Sequence, residues 1–184
     1  MSRFFKYATI AAAMALAVAV AAKAGKLTLT SPTIIEGGIV PNAHIYYGFG
    51  YSGPNRSPEL SWTGAPSDTK SFAVTMYDPD APHPGGWWHW LAFDIPADTS
   101  GLPEDAGSGV GLPAGVVQSL TDFGSSGYGG PAPPPGRTHR YIFTVYALKV
   151  AKLGVSSAEA PAKVDQAIRK NALAQSSITA KFGK

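Results

Sequence analysis

Phe72, Val74 and Met76 alternate with Ala73, Thr75 and Tyr77, the period-two pattern of a strand buried on one side. A nearly continuous apolar run from His89 to Ile95 predicts a second strand. Arg140 to Leu148, aromatic, β-branched and unbroken, predicts a third. Leu27 and Leu29, alternating with Thr28 and Thr30, mark a strand near the start of the patterned chain. Leu60-Ser61-Trp62 and Val116 to Leu120 are shorter pieces of the same kind. Pro96 to Gly115 is polar and rich in Gly and Pro, a long excursion with little regular structure. Ser156-Ser157-Ala158-Glu159 fits a capping box and Pro161 suits a first helical turn, so Ala162 to about Ser177 is expected to be a helix. Asp165 and Arg169 would form an i,i+4 pair on it. Many strands followed by one helix predict a mainly β chain, an antiparallel β-sandwich with a C-terminal helix.

Residues 1–24 read differently. Arg3 and Lys6 precede the apolar stretch Ala8 to Ala22, and Ala22-Lys23-Ala24 has the A-x-A form of a cleavage site. This is the pattern of a secretory signal peptide, with Gly25 as the expected mature start and a periplasmic or secreted destination. The apolar core is short and Ala-rich, so no stable membrane anchor is expected, and without Cys there is no lipid attachment. The whole chain has 15 Lys and Arg against 12 Asp and Glu; losing Arg3, Lys6 and Lys23 leaves 12 against 12. A formally neutral mature chain gives nucleic acid no clustered charge to bind. The remaining 160 of 184 residues, 25–184, suit one domain with a sizeable core. No Cys also means no disulfides, no thiolate chemistry and no Cys-ligated metal.

The chemistry concentrates in the loops that precede two of the strands. Tyr77-Asp78-Pro79-Asp80-Ala81-Pro82 and Gly85-Gly86-Trp87-Trp88-His89-Trp90 carry acids, prolines and tryptophans that a plain hairpin would not need. Alternation puts His139, Tyr141, Phe143 and Val145 on one face, and puts His89 on a face continued by Leu91, Phe93 and Ile95. If these strands neighbour each other, Asp78, His89, His139 and Tyr141 meet at one end of a sheet. Imidazoles and a phenol donate to phosphate or carboxylate oxygens, Asp78 orients the histidines and favours their charged form, and Trp87, Trp88 and Trp90 wall the pocket. The expected partner is a small anionic ligand. Arg140 is expected to pair structurally with Asp80. His44 and His83 have no second ligand at metal spacing, so no metal and no cofactor is expected.

Two other readings stand beside this one. Exposed Gly/Pro segments at 49–58 and 96–115 would let the chain inhibit a protease or another protein target. Asp78 with either histidine would make a general acid–base pair for a hydrolase or lyase. No G-x-S-x-G elbow or activated nucleophile accompanies it.

The chain resembles the phosphatidylethanolamine-binding protein family in its bacterial Raf-kinase-inhibitor-like branch. The resemblance spans Leu27 to the C-terminus. It is carried by Asn55-Arg56-Ser57-Pro58-Glu59-Leu60-Ser61-Trp62, Tyr77-Asp78-Pro79-Asp80-Ala81-Pro82, Trp88-His89-Trp90, the stretch from Gly127 through Pro133-Pro134-Pro135 to Gly136, and His139-Arg140-Tyr141. It implies two antiparallel sheets with a small anion pocket at one end, formed here by Asp78, Ala81, Pro82, Trp87, His89, His139 and Tyr141. The loop of Gly130, Ala132, Pro133 and Pro134 would complete the pocket, and a cis bond between Ala81 and Pro82 is implied. Ala132 stands where relatives often carry Cys. The resemblance further implies phosphate-type head groups as ligands, regulation of protein partners, and no enzymatic activity for most members.

Overall fold

The computed structural model describes residues 25–183, so the expected signal peptide at 1–24 lies outside the described residues. Ten strands and one α-helix, besides two short 3-10 turns, follow in chain order among these residues. They are β1 (Thr28–Thr30), β2 (Tyr47–Gly48), β3 (Tyr51–Ser52), β4 (Leu60–Thr63), β5 (Ser71–Asp78), β6 (Trp87–Pro96), β7 (Gly101–Leu102), β8 (Val117–Gln118), β9 (Thr138–Leu148), α1 (Pro161–Asn171) and β10 (Ala172–Gly183). All pairings within the sheets are antiparallel. A three-stranded sheet runs β1-β4-β7, a five-stranded sheet runs β10-β9-β5-β6-β8, and β2-β3 form a separate hairpin.

The main core lies between the two sheets. Leu29, Leu60 and Trp62 from the small sheet meet Phe72, Val74, Met76, Trp90, Phe143 and Val145 from the large one. A second core covers the opposite face of the large sheet, where Val164 and Ile168 of α1 bury against Ala73, Leu91, Phe93, Tyr146 and Leu148. β5 is therefore buried on both faces, not on one. The expected Asp165–Arg169 pair forms on α1, with Nε 2.8 Å from Oδ2, and the Arg169 guanidinium also lies 5.7 Å from the Tyr146 ring centre.

The helix is shorter than its sequence predicts. It starts at Pro161 after Ala160, while Ser156 and Glu159 close a turn upstream (Glu159 N–H to Ser156 O, 3.1 Å) and do not cap it. It ends at Asn171, and the Ala-rich stretch that follows becomes β10. Good helix formers are overridden here because β9 presents eleven residues of backbone that need a partner on its second edge. Ala174, Ile178, Ala180 and Phe182 pack toward the inter-sheet core from β10. Among the described residues no helix is long and apolar enough to cross a membrane.

Two irregularities in β6 reset its alternation. Trp88 pairs with Tyr77 and Trp90 with Met76, so His89 is an extra residue without a partner on β5. This is a β-bulge, which re-aims a side chain and shifts the face of everything beyond it. Trp90 and Ala92 consequently join His89 on the inter-sheet side, whereas Leu91 and Phe93 turn to the helix. A second spare residue at Phe93–Asp94, with Asp94 at φ 60°, returns Ile95 to the inner face.

Candidate functional site

β6 and β9 are not neighbours. β5 lies between them and ends on Asp78, so His89 and His139 flank that carboxylate instead of facing each other across one ladder. Asp78 continues the inward parity of Phe72, Val74 and Met76. His139 and Tyr141 begin the inward face of β9, and the bulge adds His89. The expected convergence occurs, through an intervening strand.

His139 Nδ1 donates to Asp78 Oδ2 at 2.7 Å, and the backbone N–H of Asp80 donates to Oδ1 at 2.8 Å. His89 Nδ1 donates to the Gly129 carbonyl at 2.7 Å, while its Nε2 stands 4.0 Å from Asp78 Oδ2. The three side chains are almost fully buried. Burial raises the Asp78 carboxyl above its usual range, opposed in part by the His139 hydrogen bond. Burial also lowers His89 to about 4, outweighing the hydrogen bonding of its ring to the Gly129 and Gly130 backbone. His89 is therefore neutral at physiological pH, against the expectation that Asp78 would keep it charged. With Nδ1–H committed to Gly129, its Nε2 faces Asp78 as an acceptor.

Tyr141 is wholly buried, edge-on to His89 at 5.3 Å between ring centres, and burial raises its phenol. Its hydroxyl lies close to the Ala132 backbone but completes no hydrogen bond with any protein group, and the Trp87 indole N–H is likewise unpaired. Buried polar groups nearly always have partners, so two orphan donors in one place are a departure from ordinary packing.

Asp78, Ala81, Pro82, Trp87, His89, Ala132, Pro133, Pro134, His139 and Tyr141 all line one cavity of about 160 Å³. Two further residues line it that sequence reasoning missed: Phe49 at the tip of the β2-β3 hairpin, and Phe123. Phe123 stands edge-on to both Trp87 (5.4 Å) and His89 (5.2 Å). Only the Gly-Phe-Gly setting of Phe49 and the Phe123-Gly124 step hint at aromatic residues presented on turns. The expected tryptophan wall reduces to Trp87. Trp88, paired with Tyr77, lies on the helix side against it, and the bulge sends Trp90 into the core, where its indole donates to Gln118 Oε1 at 2.7 Å.

Gly130 does not line the cavity. Its N–H donates to Asn55 Oδ1 at 2.8 Å, and a Cβ there would collide with the His44 carbonyl oxygen, so the glycine permits close backbone approach. Tyr51 donates to the Pro133 carbonyl at 2.8 Å and steadies the same loop. Outside the cavity, Arg140 binds Asp80 through Nε (2.9 Å) and Nη2 (2.7 Å) and holds that carboxyl down at about 2. His44 is buried between the Arg56 carbonyl and the Thr33 hydroxyl, a packing role. The Ala81–Pro82 bond is trans, as are all peptide bonds among the described residues. Among those residues no three His, Cys, Asp or Glu side chains are placed to hold a metal.

The phosphatidylethanolamine-binding protein family model matches residues 30–183. The Escherichia coli (strain K12) protein YbhB is 49% identical over 157 residues, covering 85% of this chain and 99% of its own length. YbcL of the same organism is 47% identical over 161 residues, covering 86% and 88%. The crystal structure of E. coli YbcL, described as a member of the mammalian PEBP family, superposes with a TM-score of 0.84 at 45% identity, over 87% of this chain and 99% of that one. A homologue from Chlamydia trachomatis superposes at 0.72 with 28% identity, again over 87% and 99%. With its sandwich, its bulged His89 strand and its family match over nearly the whole described chain, the protein belongs to the phosphatidylethanolamine-binding protein family.

Proposed function

We propose that this is an exported binding protein whose pocket takes a small anion, a phosphate or phospho-head group. The observation that carries the reading is the pair of buried, unpartnered donors, Tyr141 O–H and Trp87 Nε1–H, in one small cavity with the Asp78–His139 pair. An oxyanion supplies the acceptors they lack. Prolines and aromatic rings hold the donors in place, so little ordering accompanies binding. Export is supported by the basic start, apolar stretch and A-x-A site of residues 1–24.

The test is a histidine-resolved NMR titration of the mature protein with phosphate and with phosphoethanolamine. The His89 and His139 signals are expected to move together and saturably, and His139→Ala is expected to abolish the response. If neither signal moves, the pocket is a packing feature and the anion reading fails. Mass spectrometry of the exported protein should find Gly25 as the first residue.

A second reading has its own observation. Tyr47 and Phe49 on the β2-β3 hairpin are about three-quarters exposed, 75% and 74%, which is unusual for aromatic side chains. They suit a loop that contacts a protein target and regulates or inhibits it. Loss of such regulation in Tyr47→Ser, with phosphate binding kept, would select this reading.

A further inference from the structure

The pocket holds a carboxylate and no lysine or arginine. On β5 it has Asp78, on β6 Trp87 and His89, and on β9 His139 and Tyr141; the loops and hairpin around them contribute only apolar side chains. Asp78 is hydrogen-bonded to His139, and His89, held neutral by burial, adds no charge. Arg140 is held outside by Asp80. Arg137 and Lys181 line a separate depression, open to solvent, that shares only His139 with the pocket. Exposed charges act weakly through salt water, with a screening length of about 8 Å at physiological ionic strength. A doubly charged ligand would thus be buried beside a carboxylate with no lysine or arginine in the lining to match it, an unfavourable arrangement.

The hydrogen-bonding pattern points the same way. Tyr141 and Trp87 offer two neutral donors. His89 offers an acceptor, because its Nδ1–H is tied to the Gly129 carbonyl and its Nε2 stands on the Asp78 side. The complement is a ligand with two acceptor oxygens and one O–H.

Building on the anion-pocket reading, we propose that the pocket selects the singly charged, still-protonated form of a phosphate monoester, its P–O–H donating to His89 Nε2 while its other oxygens accept from Tyr141 and Trp87. A phosphodiester, the linkage of an intact phospholipid head group, has no P–O–H to give and leaves His89 unpaired. The pocket would then favour free phosphomonoesters over the same head group attached to lipid.

Methyl phosphate and dimethyl phosphate test this. The second ionisation of a phosphate monoester lies near ~6, so the singly charged form falls from about 90% at pH 5 to about 1% at pH 8. Apparent affinity for methyl phosphate is expected to fall about 100-fold across that range. Titration of the protein's own groups would also change affinity, so ³¹P NMR supplies the direct readout: bound methyl phosphate at pH 8 should keep the chemical shift of its monoanion. Dimethyl phosphate at pH 5 should bind at least about tenfold more weakly, the loss of one hydrogen bond in a dry site. A bound ³¹P signal at the dianion position, or dimethyl phosphate binding as tightly as methyl phosphate, overturns the proposal and leaves the anion pocket standing. Absence of binding by either compound at either pH overturns both.

Discussion

Replacing Tyr141 with Phe separates the stability of the pocket from its function. The Tyr141 hydroxyl is fully buried and has no hydrogen-bond partner. A buried hydroxyl in that state costs the fold roughly 1–3 kcal/mol compared with an apolar group of the same shape. Phe keeps the ring, its edge-on contact with His89 at 5.3 Å and its place in the core. Allowing for incomplete relief, Tyr141→Phe should stabilise the ligand-free protein by about 1 kcal/mol, which raises Tm by roughly 2–4 °C in a chain of this size. Anion binding should weaken, since one donor to an ionised acceptor is lost. About 1.5 kcal/mol corresponds to roughly a tenfold rise in Kd. Thermal unfolding by circular dichroism without ligand and calorimetric titration with phosphate measure the two quantities independently. Opposite signs are the signature: a tougher protein that binds less well. A Tyr141→Phe protein that melts lower, or binds phosphate as tightly as the parent, refutes the assignment of this hydroxyl to the ligand.

Three further outcomes are expected. His89 is held neutral by burial at about 4, below the ordinary histidine value of ~6.5. Below pH ~6.5 the unfolded chain gains a proton that the native state refuses, so stability is present above that pH and declines, by about 3 kcal/mol in total, as pH falls toward 4. His89→Asn, which keeps an N–H for the Gly129 carbonyl, should flatten that slope in urea unfolding series run from pH 4 to 7. Gly130→Ala should destabilise by more than about 2 kcal/mol in chemical denaturation, because its Cβ would meet the His44 carbonyl oxygen and the Tyr46 nitrogen, both backbone atoms that cannot step aside. Arg140→Gln breaks a largely exposed pair with Asp80, so Tm should shift by no more than about 2 °C, less in high salt, with phosphate affinity unchanged.

Local pattern determined much of this protein. Strands β5, β6 and β9 of the large sheet, the family resemblance, the Asp165–Arg169 pair, the Asp80–Arg140 pair and ten of the residues around the cavity were legible from alternation, turn chemistry and motif blocks. Tertiary structure decided what local pattern cannot encode. Ala172 to Gly183 is strand because an unpaired edge of β9 outweighs a helical preference worth tenths of a kcal/mol per residue. Strict alternation mis-faced Leu91 and Phe93 because the extra residue at His89 exists only relative to β5. Phe49 and Phe123 reach the cavity from turns whose positions follow from contacts distant in sequence. The charge of His89 is likewise a tertiary property: the residue type supplies a group that titrates near neutrality, burial makes it neutral, and the Gly129 carbonyl, by holding Nδ1–H, leaves Nε2 as the acceptor.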